Sequence, residues 1–72
     1  MTKNTIGKNI RYLRKQKKMN QRALAAQLNI RRQTVSSYEL GKSIPDIFTL
    51  IRIADIFQVS LDELAGIEAG MK

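Results

Sequence analysis

The chain has 72 residues, of which 43% are hydrophobic, and it contains 13 Lys or Arg against six Asp or Glu. A chain of this size can bury only a modest core and forms one small domain. It has neither Cys nor His. This excludes disulfides, a thiolate nucleophile, an imidazole base and the usual zinc or haem ligands, so we expect no metal, no cofactor and no enzymatic activity.

The positive charge is concentrated in one part of the chain. Residues 1–45 contain eleven Lys or Arg and a single acid, whereas residues 46–72 contain two Lys or Arg and five acids. A polyanion, such as nucleic acid or an anionic membrane surface, would attract the first part and be repelled by the second. A charge excess that served solubility alone is the simpler alternative, but it gives no reason for this segregation.

No segment is suited to crossing or entering a membrane. The longest uninterrupted apolar run covers residues 23–26, and the amino end carries no apolar signal segment. We therefore expect a cytoplasmic protein.

Two helices are predicted in the first thirty residues. Apolar residues recur at helical spacing at Ile6, Ile10 and Leu13, with basic residues on the remaining faces, which indicates an amphipathic first helix. Asn20 is a good N-cap for a second helix. Asn29 follows that helix where a left-handed residue is required, and Asn tolerates this conformation second only to Gly.

A short third helix follows a tight turn. Val35 and Tyr38 lie three residues apart on its inner face, and it is expected to end at Leu40 with Gly41 as a left-handed cap. A turn of about four residues, 29–32, makes the second and third helices cross steeply, as in a helix-turn-helix. The outer face of the third helix is polar in a way that does not serve helix stability. It carries Arg32, Gln33, Ser36 and Ser37.

Two further helices are predicted in the acidic part of the chain. Pro45 and Asp46 suit the opening of a fourth helix, with Pro in the first turn. That helix is apolar on nearly every side, so it is either the central core element or is covered by a second subunit. Ser60 and Glu63 form a capping box at the start of a short fifth helix. No strand pattern is present, and the fold is expected to be all-α.

Four segments follow one another at characteristic separations: NQRALAAQL at residues 20–28, RQTVSSYELGK at 32–42, Pro45-Asp46, and VSLDEL at 59–64. In this order they resemble the phage repressor and Cro type, or XRE-like, helix-turn-helix DNA-binding family. The resemblance implies a compact five-helix lambda-repressor-like domain in which helices two and three form the helix-turn-helix. We expect a single domain over residues 1–72, with a core at about 6–64 and a tail at 67–72.

The third helix is the expected base-reading element. The family places it in the major groove of double-stranded DNA, where base edges present distinguishable donors and acceptors. Arg32 and Gln33 lie at its amino end, which contacts bases in this docking geometry. Arg can pair with guanine and Gln with adenine, while Ser36 and Ser37 are short enough to let the helix sit deeply. A solvated helix face without partners is the simpler alternative.

A second group of residues is predicted to bind DNA phosphates. Gln21 lies in the first turn of helix two, where free backbone amides favour an anion, and the family usually has Gln here. Lys42 and Ser43 form the matching clamp beyond helix three. Arg31 stands where the family usually places a Ser or Thr cap, so a phosphate contact is expected in exchange for the lost cap. Arg22 suits a phosphate contact and a solvated surface equally well.

Glu39 is the only acid in the basic part of the chain. The resemblance implies an ion pair between Glu39 and Arg14 of helix one, which fixes the recognition helix and orients Arg14 toward a phosphate. A catalytic role for this lone carboxylate is disfavoured, because general acid–base chemistry requires a positioned partner group.

Apolar residues in the last third of the chain are candidates for a dimer or partner surface. Phe48 stands at a position that is typically polar in the family, and it either forms an exposed patch or folds back onto its own core. Leu61, Ile67 and Met71 are the other candidates. Proteins of this kind usually bind as symmetric dimers with recognition helices about 34 Å apart.

These observations predict a sequence-specific double-stranded DNA-binding transcriptional regulator of prokaryotic or phage type, acting as a repressor. The alternatives are an antitoxin that binds its own operator and a toxin, and a protein-interaction module that keeps the fold without binding DNA. A toxin or polymerase is the candidate protein partner. Membrane-surface binding is disfavoured because the basic helices lack an aromatic apolar face.

Overall fold

The computed structural model describes residues 3–66, with side chains from residue 5 onward. Within that range it contains five α-helices and no β-strand, which confirms the predicted all-α fold. The helices are α1 (Lys3–Gln16), α2 (Gln21–Leu28), α3 (Arg32–Glu39), α4 (Ile47–Phe57) and α5 (Leu61–Ala65). None of the helices in residues 3–66 is long and apolar enough to span a membrane.

All five helices contribute to one hydrophobic core. The fully enclosed side chains include Ile10 of α1, Leu24 of α2, Val35 of α3, Ile53 of α4 and Leu64 of α5. Burying an aliphatic side chain of this size stabilises the fold by about 1.5–3 kcal/mol. The core thus joins α1–α3, which lie in the basic part of the chain, to α4 and α5, which lie in the acidic part.

The capping residues of α2 and α5 lie where the sequence predicts them. The Asn20 side chain accepts a 2.7 Å hydrogen bond from the Ala23 amide, and Asn29 ends α2 in the left-handed region at φ 58°. The Ser60 hydroxyl accepts from the Glu63 amide while the Glu63 carboxylate accepts from the Ser60 amide. Local sequence chemistry therefore fixes both ends of α2 and the start of α5.

The start of α4 differs from the prediction by one position. Asp46 is the N-cap and accepts a 2.8 Å hydrogen bond from the Thr49 amide, so Pro45 precedes the helix and does not occupy its first turn. Hydrogen bonds from the backbone amide and the side chain of Thr49 lower the pKa of the Asp46 carboxyl. Burial raises the pKa of the nearby Tyr38 phenol, and the charge of Asp46 adds to that effect.

The turn between α2 and α3 is one residue shorter than predicted. It comprises residues 29–31, because Arg32 is already helical. Arg31 is the N-cap of α3 and its side chain makes no capping hydrogen bond, as the sequence indicates for a cation at this position. Gly41 follows α3 in the left-handed conformation at φ 76°, as predicted. A turn of three residues is typical of the helix-turn-helix, and α2 and α3 are the two helices that it joins here.

Helix α3 lies directly against α1 at Gly7. A methyl group at Gly7 would collide with the carbonyl oxygen of Tyr38 and lie 2.9 Å from that of Glu39. The two helices therefore approach each other through backbone atoms at this point. Sequence reasoning missed this contact, although a Gly inside a helical pattern often marks a packing requirement.

Candidate nucleic-acid interface

The predicted base-reading residues lie together on the outer side of α3. Arg32 and Gln33 are exposed at its amino end, and Ser36 and Ser37 are half-buried one turn later. The opposite side of α3 packs into the core through Val35. This arrangement presents a polar strip of one helix to solvent while the rest of the helix is held rigidly.

A buried ion pair joins α3 to α1. Arg14 Nε lies 2.7 Å from Glu39 Oε2, and Arg14 Nη2 donates to Glu39 Oε1 at 3.1 Å. Arg14 Nη1 also donates to the Met19 carbonyl oxygen at 2.7 Å. The side chains are 9% and 4% exposed, respectively. The bidentate geometry and low exposure make this pair a rigid support for α3 rather than a loose surface contact.

Gln21 extends this network to the tip of the recognition helix. Its Nε2 donates to Glu39 Oε1 at 3.0 Å, and its Oε1 accepts from Arg32 Nη1 at 3.3 Å. Because a carboxylate only accepts and a guanidinium only donates, these two neighbours fix the orientation of the amide. A continuous path of hydrogen bonds thus runs from Met19 through Arg14, Glu39 and Gln21 to Arg32.

The network bears on the two phosphate contacts predicted for Arg14 and Gln21. Arg14 makes three hydrogen bonds within the chain and is almost fully buried, so it offers little surface to a phosphate. Gln21 is half-buried, and its amide nitrogen keeps a second N–H. The geometry therefore favours Gln21 over Arg14 as a phosphate contact.

A basic depression of about 400 Å³ opens at the start of α2. It is lined by Arg14, Asn20, Gln21, Arg22 and Arg32. Arg22 and Arg32 are both exposed at its rim. Two cations and the first turn of a helix form a surface on which an anion is favoured. Arg31, in the adjacent turn, is also exposed.

The predicted clamp beyond α3 is held by backbone hydrogen bonds. The Lys42 amide donates to the Ser37 carbonyl oxygen at 2.9 Å, and the Ser43 amide donates to the same oxygen at 3.4 Å. The Lys42 side chain is exposed and Ser43 is half-buried. The loop thus holds a lysine next to the carboxyl end of the recognition helix.

Arg52 connects α4 to the helix-turn-helix, a role that was not predicted from the sequence. Its Nη2 donates to the Gln27 carbonyl oxygen at 2.9 Å and its Nη1 donates to that of Leu28 at 3.4 Å. These carbonyls belong to the last turn of α2, where a cation is electrostatically favourable. The signal in the sequence was a single cation, Arg52, within an otherwise apolar and acidic helix.

The outer side of α4 remains apolar. Phe48 is 74% exposed, so the alternative in which it folds back onto the core is wrong. Ile47 and Ile51 are also exposed, and Ile51 lines a depression of about 300 Å³ together with Leu61 of α5. The other two candidates for this surface, Ile67 and Met71, lie outside the described residues. No group of His, Cys, Asp or Glu within the described residues is arranged to hold a metal ion.

Comparison with known proteins assigns the family. The sequence model of the helix-turn-helix family matches residues 10–64. The chain belongs to this family. The resemblance drawn from the four sequence segments is thereby confirmed, and α2 and α3 are the elements that give the family its name.

Several helix-turn-helix proteins are similar over most of this chain. The uncharacterized HTH-type transcriptional regulator YqaE of Bacillus subtilis is 45% identical over 67 residues, which is 93% of this chain and 58% of that protein. The HTH-type transcriptional regulator DicA of Escherichia coli is 45% identical over 60 residues, which is 82% of this chain and 44% of DicA. The chain spans about half the length of the curated relatives it matches.

A solved structure shows the same fold. The restriction-modification controller protein C.AhdI of Aeromonas hydrophila aligns with a TM-score of 0.79 over 86% of this chain and 94% of that protein, at 24% sequence identity. The two chains therefore share a fold although about three quarters of the aligned residues differ.

Proposed function

We propose that this helix-turn-helix protein is a sequence-specific double-stranded DNA-binding transcriptional regulator that represses by occupying its operator. The observation that carries this proposal is the polar strip of α3, with Arg32 and Gln33 exposed and Ser36 and Ser37 half-buried, on a helix joined to α1 by a buried ion pair. Binding of this kind requires no chemistry, which agrees with a chain without Cys or His. The place of action is then the cytoplasm, where prokaryotic DNA is found.

The recognition strip supplies base contacts and its flanks supply phosphate contacts. Arg32 suits guanine O6 and N7, and Gln33 suits adenine N6 and N7. Phosphates on one side lie over the depression of Gln21, Arg22 and Arg32, with Arg31 next to it, and on the other side against Lys42 and Ser43. Such backbone contacts provide most of the affinity and set the register, while the base contacts provide the sequence preference.

We further propose that two copies bind DNA as a symmetric dimer. Ile47, Phe48, Ile51 and Leu61 form an exposed apolar surface on α4 and α5, which carry little positive charge and are unsuited to facing DNA. Exposed apolar side chains that lie together on one side of a protein are typical of a protein interface. A dimer through this surface would present two recognition helices to successive major grooves, about 34 Å apart.

Selection from a random pool of duplexes tests the function directly. We expect the purified chain to enrich a palindromic sequence, whose half-site spacing reports the dimer symmetry. Enrichment of no sequence over bulk competitor at moderate ionic strength would contradict the proposal.

Two variants separate base reading from phosphate binding. Gln33→Ala should relax the preference at one base position and cost about 1–3 kcal/mol of binding free energy on the selected duplex. Lys42→Gln should weaken binding to all sequences alike and reduce the dependence of affinity on salt by about one charge. If both changes lower affinity uniformly across sequences, the base-reading role of Gln33 is wrong.

The dimer has its own test. Ile51→Lys should produce a monomer in sedimentation equilibrium and lower affinity for the palindrome much more than for a single half-site. Ala26→Lys is the matched control, because Ala26 is exposed on α2, on the side of that helix opposite its buried residues Leu24 and Leu28. A wild-type chain that remains monomeric on the palindrome would contradict the dimer but not the DNA-binding function.

A further inference from the structure

One large apolar side chain lies on the same side of the recognition helix as the base-reading residues. Leu40, directly after α3, is 62% exposed, although Leu is among the residues most often buried. It follows Gln33 by seven residues and has helical backbone angles of φ −85° and ψ −4°. Seven residues are close to two full turns, so Leu40 lies in line with Gln33, with Ser36 and Ser37 between them.

The surroundings of Leu40 are strongly basic. A concavity of about 220 Å³ between α1, α2 and α3 is lined by Leu40 and Ser36 of the recognition strip and by Arg11 and Lys15 of α1. Both cations are exposed, and the only acid that lines this concavity, Glu39, is buried and paired with Arg14. An exposed leucine beside two exposed cations is unsuited to an apolar protein partner but complementary to a polyanion that carries apolar groups.

DNA presents such apolar groups next to its phosphates. In the major groove the thymine 5-methyl group is an apolar contact for protein side chains. The deoxyribose ring presents carbon atoms along both strands beside the phosphates. A duplex that follows the recognition strip from Arg32 toward the carboxyl end of α3 would therefore bring one of these groups to Leu40.

We infer that Leu40 is a further DNA-contact residue, which makes an apolar contact with the duplex at the carboxyl end of α3 while Arg11 and Lys15 bind the adjacent phosphates. This inference rests on the proposed function and extends the contact surface onto α1. It places an apolar contact about two helical turns beyond Gln33, at the residue directly after α3.

The test uses the duplex recovered by selection, with each thymine replaced singly by deoxyuridine, and the variant Leu40→Ala. If Leu40 contacts a thymine methyl, replacing that one thymine lowers wild-type affinity by about three- to tenfold. Leu40→Ala then lowers affinity for the unmodified duplex by the same factor, and replacing that thymine has no additional effect on the variant. If Leu40 contacts deoxyribose, Leu40→Ala lowers affinity for selected and unrelated duplexes by the same factor, and no replacement matters. Either result supports the contact and identifies its source.

Two further variants complete the experiment. Lys15→Gln should reduce the dependence of affinity on salt by about one charge. Tyr12→Ala is the matched control for Leu40→Ala, because both side chains are 62% exposed but helical spacing places Tyr12 on the side of α1 away from Gly7 and Arg14, which face α3. We expect no change in affinity for this control.

The inference is overturned if Leu40→Ala binds every duplex as tightly as the wild type does. Failure of the proposed function would give a different result. In that case the wild-type chain itself would prefer no sequence. Thermal unfolding of Leu40→Ala should match that of the wild type, so that a change in affinity reports DNA contact and not folding.

Discussion

The two parts of this molecule are built around one core but present opposite surfaces. Helices α1–α3 expose cations, and they are joined to one another by a polar network through Arg14, Glu39 and Gln21. Helices α4 and α5 expose apolar side chains such as Phe48 and Ile51. Buried polar contacts thus supplement the common core in the first part, whereas the second part leaves large apolar side chains exposed.

Removal of Glu39 should have the largest effect on stability. Glu39→Ala leaves the Arg14 guanidinium buried without its acid, and we expect the free energy of unfolding to fall by about 3–5 kcal/mol in urea denaturation. The double variant Arg14→Met with Glu39→Leu removes both charges and should regain most of that loss. If the double variant is no more stable than Glu39→Ala, the cost does not arise from an unpaired buried charge.

Gly7→Ala should have the next largest effect. The added methyl group collides with the Tyr38 carbonyl oxygen, which belongs to a helix backbone and cannot move aside alone. We expect a loss of about 2–3 kcal/mol in the same measurement, and weaker binding to the selected duplex because α3 is displaced. Lys8→Ala, at the exposed neighbouring position, is the control and should be close to neutral. Full stability of Gly7→Ala would show that α1 and α3 are not in close backbone contact.

Arg52 tests the link between the two parts. Arg52→Ala removes two hydrogen bonds to the last turn of α2, and we expect a loss of about 1 kcal/mol in the free energy of unfolding. Hydrogen exchange should accelerate at the carboxyl end of α2 before it changes in α3. Arg22→Ala, an exposed cation of α2, serves as the control for general loss of charge.

Gln58→Gly should stabilise the chain. Gln58 ends α4 in the left-handed conformation at φ 59°, which is costly for a residue with a side chain. Glycine relieves that cost but adds freedom to the unfolded chain, so we expect a net gain of about 0.5 kcal/mol. Gln27→Gly, within the regular part of α2, should destabilise instead, and a loss of stability in both variants would contradict this account.

The smallest effect concerns acid pH. The Thr49 amide lowers the pKa of Asp46 below its ordinary 3.8, so this cap contributes stability at pH values above that number. The contribution disappears as the pH falls through the lowered pKa of the folded state. Asp46→Asn retains a capping side chain without a charge, and its unfolding should lack this part of the acid dependence. Identical pH profiles for the two proteins would contradict the assignment.

Local features of the sequence predict the fold better than the site. Caps such as Asn20, Asn29 and Ser60 act within a few residues, and they specify where helices begin and end. The hydrogen bonds of Gln21 join residues 11 and 18 positions apart, so only the packed fold brings these partners together. The exposure of Phe48 also depends on how α4 rotates against the core. The position of Leu40 in line with Gln33, by contrast, follows from their separation of seven residues and can be predicted from the sequence.

The backbone contact at Gly7 has a consequence for how such a protein can change its target. Helix α3 contacts α1 through main-chain atoms at Gly7, so its position against α1 does not depend on which side chains project outward. An outward residue such as the exposed Gln33 can therefore be exchanged without repacking the interior. On the proposed function, a change of operator preference would therefore require substitutions at only a few outward positions, with the rest of the domain unchanged.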